Sequence, residues 1–284
     1  MKIAGSLAET AKEKAWYEVV GVPFDGNAIK KGARYGPHAI RKASQRLETF
    51  LWAQRRELTD LLYYDRGDLT GEQVTGTSTW LEPFDPHTKR VFLGGDHSIS
   101  YYLVKRLFEA GAISTVIVID AHADFRDSYK GNRYSNASVV RRITELVGFE
   151  QVIELGVRSA SEEEYRVLNG RIRLYDAALI RERGVAWLTG ELGKDAEKKT
   201  YLSIDLDVLD PSIAPGVEHP EPCGFALDDL IALLQGVLAT RDVVASDVVE
   251  VNPRLDCGNA LTSLHAARVV FELLASYGRA EKRY

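Results

Sequence analysis

The chain has 284 residues, 45% hydrophobic and 27% charged, the balance of a globular protein long enough to bury a core without disulfides. Lys plus Arg is 36 and Asp plus Glu is 41, a formal charge of −5 that disfavours a nucleic-acid partner and mildly favours a cationic ligand. Cys223 and Cys257 belong to no metal or redox motif, the first 16 residues lack the apolar core of a secretory signal, and no run nears the roughly 18 apolar residues of a membrane span. A cytoplasmic protein without a membrane partner is expected.

In chain order, apolar runs predict strands over Tyr17–Val22, Leu61–Tyr64, Val91–Leu93, Thr115–Ile119, Gln151–Leu155, Tyr201–Leu206 and Val243–Val251. Thr115-Val116-Ile117-Val118-Ile119 is apolar without alternation, the pattern of a parallel strand buried on both faces. Between the strands, Pro37 is placed to open a long helix toward Leu58, and Ser98 begins another that reaches about Ala110. Ser161-Glu162-Glu163-Glu164 reads as a capping box, and Ala226–Leu238 and Leu261–Ala275 carry helical apolar spacing. No repeat or linker divides the chain. One α/β domain over residues 1–284 is expected, a mostly parallel sheet with helices on both faces.

Three predicted strands run into clusters of metal-type ligands: Gly94-Gly95-Asp96-His97-Ser98, Asp120-Ala121-His122-Ala123-Asp124, and Asp205-Leu206-Asp207. In open α/β sheets such positions fall outside the carboxyl ends of the strands, where ligands bind. In extended chain, Asp120, His122 and Asp124 share one side, as do Asp205 and Asp207. Carboxylates gathered this closely repel one another unless cations intervene, and side chains so spaced can bracket two ions about 3.5 Å apart. Four Asp and two His without a thiolate favour Mn2+ over Zn2+. Four carboxylates balance two divalent ions, and a bridging hydroxide leaves room for a substrate group of charge +1, such as a guanidinium.

With these motifs in hand, the chain resembles the ureohydrolases, the arginase and agmatinase family. Gly21-Val22-Pro23-Phe24-Asp25 and Gly32-Ala33-Arg34-Tyr35-Gly36-Pro37 are similar to the family's N-terminal signature. The three metal motifs follow in family order, then Asp210-Pro211-Ser212-Ile213-Ala214-Pro215-Gly216 and Asp247-Val248-Val249-Glu250-Val251-Asn252-Pro253. The resemblance implies a three-layer αβα sandwich and two Mn2+ per subunit. It assigns His97, Asp120, Asp124 and Asp205 to one ion and Asp120, His122, Asp205 and Asp207 to the other. It implies that Glu250 holds the guanidinium, that hydroxide attacks the guanidinium carbon, and that Asp124 passes a proton to the leaving nitrogen. A trimer or hexamer of identical chains is also implied. The stretch after Asp124 looks like the agmatinase type, which implies agmatine or an aminopropylagmatine as substrate and putrescine or spermidine as product. Other guanidino substrates (arginine, guanidinobutyrate, formiminoglutamate) and a weakly active metal-binding homologue are the alternatives.

Two stretches depart from the family pattern. Asn136 stands where a proton-shuttling histidine is usual, and Asn cannot titrate. Where the family commonly reads Pro-Gly-x-Gly-Thr-Pro-Glu, this chain reads Pro215-Gly216-Val217-Glu218-His219-Pro220-Glu221. His219 is therefore a candidate replacement acid–base group, with a surface loop histidine as the plainer reading. Asn136 and Glu221 are candidate substrate contacts. Cys223 is expected to be a small packed residue, His38 and His87 structural or surface residues, and Arg126, Arg133, Arg141 and Arg142 surface or subunit-contact charges.

Overall fold

A computed structural model describes residues 1–76 and 88–280. Its centre is a sheet of eight strands, all parallel. They are β1 (Tyr17–Gly21), β2 (Tyr63–Asp68), β3 (Lys89–Leu93), β4 (Thr115–Ile119), β5 (Val152–Leu155), β6 (Arg173–Tyr175), β7 (Lys199–Asp205) and β8 (Asp242–Val249). Their spatial order is β2-β1-β3-β8-β7-β4-β5-β6.

Alternate strand residues feed two apolar layers. Val19, Val91, Ile117, Ile153 and Leu202 pack against helices Gly36–Ser44, Leu227–Thr240 and Leu261–Ala280 on one face. Val20, Phe92, Val116, Val118 and Val152 pack against helices Ile99–Glu109 and Val139–Val147 on the other. Both faces of β4 are dry, hence its unbroken apolar run. Burying each such side chain contributes about 1.5–3 kcal/mol.

The seven expected strands all exist, Thr115–Ile119 with the expected ends and the other six with shifted ones. The eighth, β6, has the half-buried pattern of an edge and too few apolar residues to stand out. The helix expected from Pro37 toward Leu58 stops at Ser44. A short antiparallel hairpin, Phe50–Leu51 with Arg56–Glu57, follows it, and Leu51 and Leu58 are pulled into the core. Tertiary burial of these two leucines overrides the helical spacing. The capping box forms: Glu164 N donates to Ser161 Oγ and Ser161 N donates to Glu164 Oε2. His38 is exposed on its helix, and His87 lies outside the described residues.

The turn after β3 depends on Gly95. Its backbone lies against that of Phe24, where Asp96 N donates to Phe24 O at 2.8 Å. A Cβ at Gly95 would fall 1.7 Å from Phe24 O. Gly95→Ala is therefore expected to cost about 3 kcal/mol through overpacking against backbone that cannot turn away. Denaturant melts check this, and an unchanged midpoint would refute it.

Candidate metal centre

The four adjacent central strands β3, β8, β7 and β4 deliver the site. His97 lies in the turn after β3, Glu250 directly follows β8, Asp205 ends β7, and Asp120 directly follows β4. Asp96 anchors the first turn as a fully buried carboxylate that accepts from Asn27 N, Ala28 N and Ser98 N.

The i, i+2 spacing works by turns rather than by extended chain. β4 ends at Ile119, and Asp120 Oδ1 accepts from His122 N at 2.7 Å. Beyond β7, Leu206–Val208 is a 3-10 turn in which Asp205 Oδ1 accepts from Asp207 N at 2.8 Å. Each first aspartate spends one oxygen closing its own turn and keeps the other for the site.

The side chains converge as two overlapping donor groups: His97, Asp120 and Asp205, and Asp120, His122 and Asp207. His97 Nδ1 lies 3.0 Å from Asp120 Oδ2, 3.3 Å from Asp124 Oδ2 and 3.2 Å from Asp205 Oδ2. His122 Nδ1 lies 2.9 Å from Asp207 Oδ2 and 3.7 Å from Asp120 Oδ1. Asp124 sits at φ 46° and Glu250 at φ 65°, left-handed backbone that costs a non-glycine residue about 1–3 kcal/mol and gathers at functional sites.

Two observations fit divalent ions here. His97 Nδ1 and Asp120 Oδ2 are buried, yet among the described residues neither has a partner with hydrogen-bond geometry. The other ring nitrogen of His97 meets Ser203 Oγ at 3.0 Å, and Ser203 Oγ donates to Asp247 Oδ1 at 2.7 Å. That chain puts the proton on Nε2 and leaves the Nδ1 lone pair facing the carboxylates, the outer support a metal-binding histidine needs. Asp247 also accepts from Ser100 Oγ and Tyr201 OH, each at 2.6 Å. Asp247 belongs to the last signature, but a single acidic residue inside an apolar strand carries no sequence signal of its role behind His97.

The electrostatics tell the same story. Burial pushes Asp124 up to about 7, with the charge of Asp120 adding to it. Burial and neighbouring carboxylates likewise raise Asp205 and Asp207. Burial opposes the charged form of His122, but Asp120 and Asp207 outweigh it and raise the ring to about 12. His97 is raised in the same way, burial being overcome by Asp120, Asp124 and Asp205. Burial pushes Asp120 up, yet His122 and His97 hold it below the ordinary carboxylate range. Protons thus do in the metal-free cluster what divalent ions would do better.

A cleft of about 250 Å³ opens over the cluster, walled by His122, Asp124, Asp205, Asp207, His219 and Glu250, and also by Arg126, Tyr129 and Asn136. Glu250 Oε1 accepts from His97 N at 2.7 Å and Asn136 Nδ2 at 3.2 Å, and its buried Oε2 has no hydrogen-bond partner among the described residues. His219 is half-exposed on the wall, its ring 6.2 Å from that of His122 and lowered by burial and by His122. Glu221 is not on that wall; its carboxylate lies 3.8 Å from His122 Nε2.

Two expectations are corrected. Cys223 is exposed at φ 61°, a left-handed turn position, rather than packed. Arg142 is buried between Asp127 and Glu145, both at 3.0 Å, so it is an internal charge rather than a surface one.

The geometry can be set beside known proteins. The sequence model of the Arginase family matches residues 16–275. The N(1)-aminopropylagmatine ureohydrolase of Thermococcus kodakarensis is 32% identical, over 94% of this chain and 93% of that one. Arginase 1, mitochondrial, of Oryza sativa subsp. japonica is 37% identical, over 92% of this chain and 81% of its own. Among solved structures, the agmatine ureohydrolase of Thermoplasma volcanium superposes with a TM-score of 0.87 at 29% identity, over 100% of this chain and 96% of that one.

The raised groups carry a sign. Asp124, Asp205, Asp207, His97 and His122 bind protons more tightly folded than unfolded, so the metal-free fold loses stability as pH rises. Asp124 contributes to this loss between its unfolded value near 3.8 and about 7, and His122 between 6.5 and about 12. The melting temperature of metal-free protein is expected to fall from pH 5 to pH 9, and Mn2+ to restore it by an amount that grows with pH. Melts with and without Mn2+ test this; a gain independent of pH would contradict the cluster as the binding site.

Proposed function

The chain belongs to the arginase family, and from that premise we propose that it is a dinuclear manganese ureohydrolase of the agmatinase type. It cleaves agmatine, or an aminopropylagmatine, to urea and putrescine or spermidine. The observation that carries this reading is the juxtaposition of the two His/Asp donor groups with the unpartnered, buried Glu250 Oε2 in one cleft. Relatives named agmatinase and aminopropylagmatine ureohydrolase support the substrate class.

His97, Asp120, Asp124 and Asp205 would hold one Mn2+, and Asp120, His122, Asp205 and Asp207 the other. Bound there, two such ions supply Lewis acidity and bring the ionisation of water toward neutral pH. Glu250 offers Oε2 to the guanidinium, while His97 N and Asn136 Nδ2 occupy Oε1 and keep the carboxylate aimed. Asp124, on the cleft wall, gives a proton to the departing amine nitrogen, which leaves poorly without one. Asn136 holds rather than shuttles, since its amide donors are already engaged. His219, half-exposed on the same wall, passes to solvent the proton released when the next water molecule ionises to restore hydroxide after urea leaves. Glu221, its carboxylate 3.8 Å from His122 Nε2, is the remaining candidate substrate contact. We further read the protein as one cytoplasmic ureohydrolase domain acting as a trimer or hexamer, with a small cationic guanidino substrate and no nucleic-acid or membrane partner. The formal charge of −5 is consistent with this.

One observation favours a second reading. Arg126 lines the cleft, 3.6 Å from Glu164, and a cation there suits a substrate carboxylate, as in arginine or guanidinobutyrate. The higher identity to a plant arginase points the same way.

Urea release across agmatine, N1-aminopropylagmatine, arginine and 4-guanidinobutyrate separates the two. Agmatine or its aminopropyl derivative is expected to exceed arginine at least tenfold in kcat/KM, because the wall is mainly carboxylate and a buried, unpaired substrate carboxylate costs several kcal/mol. A reversed order that vanishes in Arg126→Ala would replace the agmatinase reading with the second. His219→Ala is expected to lower kcat about tenfold or more at little change in KM, the contribution of a positioned acid–base group. An unaltered kcat would remove His219 from the proton route.

A further inference from the structure

We infer that Glu218 is a positioning residue of the substrate site, acting through Asn136 on Glu250. The three would form one carboxylate–amide–carboxylate clamp for a guanidinium ion. This rests on the ureohydrolase reading for the ligand class but not for the geometry.

Glu218 is buried at 2% exposure. Its Oε1 accepts from Lys30 N at 2.6 Å and its Oε2 from Asn136 Nδ2 at 3.3 Å. The other Asn136 amide hydrogen goes to Glu250 Oε1 at 3.2 Å. Asn136 Oδ1 accepts from Ala137 N and from Ser135 Oγ, both at 3.1 Å. The amide orientation is therefore determined by its partners. Turned over, Asn136 would set an oxygen against two carboxylates and an NH2 group against a backbone N–H. Glu218 thus holds the one side chain that holds Glu250 Oε1, and Glu250 Oε2 is left for the ligand.

The charge balance points the same way. Among the described residues, no Lys or Arg side chain pairs with the Glu218 carboxylate; the nearest ionisable nitrogen is His219 Nε2 at 3.9 Å. A buried carboxylate without a paired cation is costly. Two of them, bracketing one amide at the edge of the cleft, make an environment that a guanidinium completes. A purely structural reading is that Glu218 ties down the loop at Lys30. That reading predicts a stability loss with no effect on ligand.

The test uses the Mn2+-loaded protein and methylguanidine as the probe, with Kd from calorimetry, KM and kcat on agmatine, and a melt of every variant. Glu218→Ala and Asn136→Ala are each expected to weaken methylguanidine about fivefold or more, the scale of one net hydrogen bond. The double variant should be no worse than about the weaker-binding single, because Glu218 acts through Asn136. KM should rise in parallel while kcat changes less than about threefold, the pattern of lost uniform binding. Glu218→Gln keeps the volume but can satisfy only one of the two contacts, so an intermediate loss is expected even where Glu218→Ala folds poorly. Binding like wild type in Glu218→Gln and Glu218→Ala, with or without a lower melting point, overturns the clamp. So does a multiplicative loss in the double variant, or a wild type that does not bind methylguanidine. A wild type that shows the binding pattern but releases no urea from any guanidino compound upholds the clamp and overturns the ureohydrolase reading.

Discussion

Asp120 is the side chain on which the rest of the site depends. It is fully buried at the end of an interior strand, belongs to both donor groups, and faces two histidine rings and three other aspartates. Its Oδ1 closes the turn to His122, and its Oδ2 is left without a hydrogen-bond partner among the described residues. A carboxylate in that position is tolerable only beside cations, whether protons on the imidazoles or divalent ions. Every neighbouring feature either supplies those cations or orients the groups that bind them.

The orientation is carried by ordinary hydrogen bonds that reach back into the sheet. Asp247, inside β8, holds Ser203 of β7, and Ser203 fixes the ring of His97 from the turn after β3. The backbone N–H of the same histidine holds Glu250, and Glu250 N donates back to Gly95 O at 2.9 Å. The candidate metal ligand and the carboxylate proposed for the substrate are thus tied through one residue's hydrogen-bonding capacity. This cross-bracing maintains the left-handed backbone at Glu250, a conformation that a glutamate in a free loop would leave.

Much of this was legible in one sequence. The unbroken apolar run of β4 reflects burial on both faces, and the ligand motifs follow strands because a parallel sheet opens its carboxyl ends to ligands. Less was legible where burial competed with local pattern. The helix expected to reach Leu58 gives way at Ser44 to a hairpin, since Leu51 and Leu58 gain more from the core than helical spacing offers. The spacing of Asp120, His122 and Asp124 pointed to residues that the fold does bring together, but through extended chain instead of the turn in which Asp120 accepts from His122 N and Asp124 adopts a positive φ.

The sequence by itself determined the parallel α/β class and the kind of chemistry, because ligand types and apolar runs are local properties of the chain. It also singled out Asn136 and His219 as unusual positions. Only the tertiary structure decided what stands behind them. Asn136 is gripped between Glu218 and Glu250, residues 82 and 114 positions away along the chain. His219 lies on the cleft wall beside His122, whereas Glu221, two residues on, lies off it. A glutamate in a loop motif reads as a solvated charge until folding buries it. Whether a carboxylate is solvated, paired or left for a ligand depends on distances across strands, and those distances exist only once the sheet has formed.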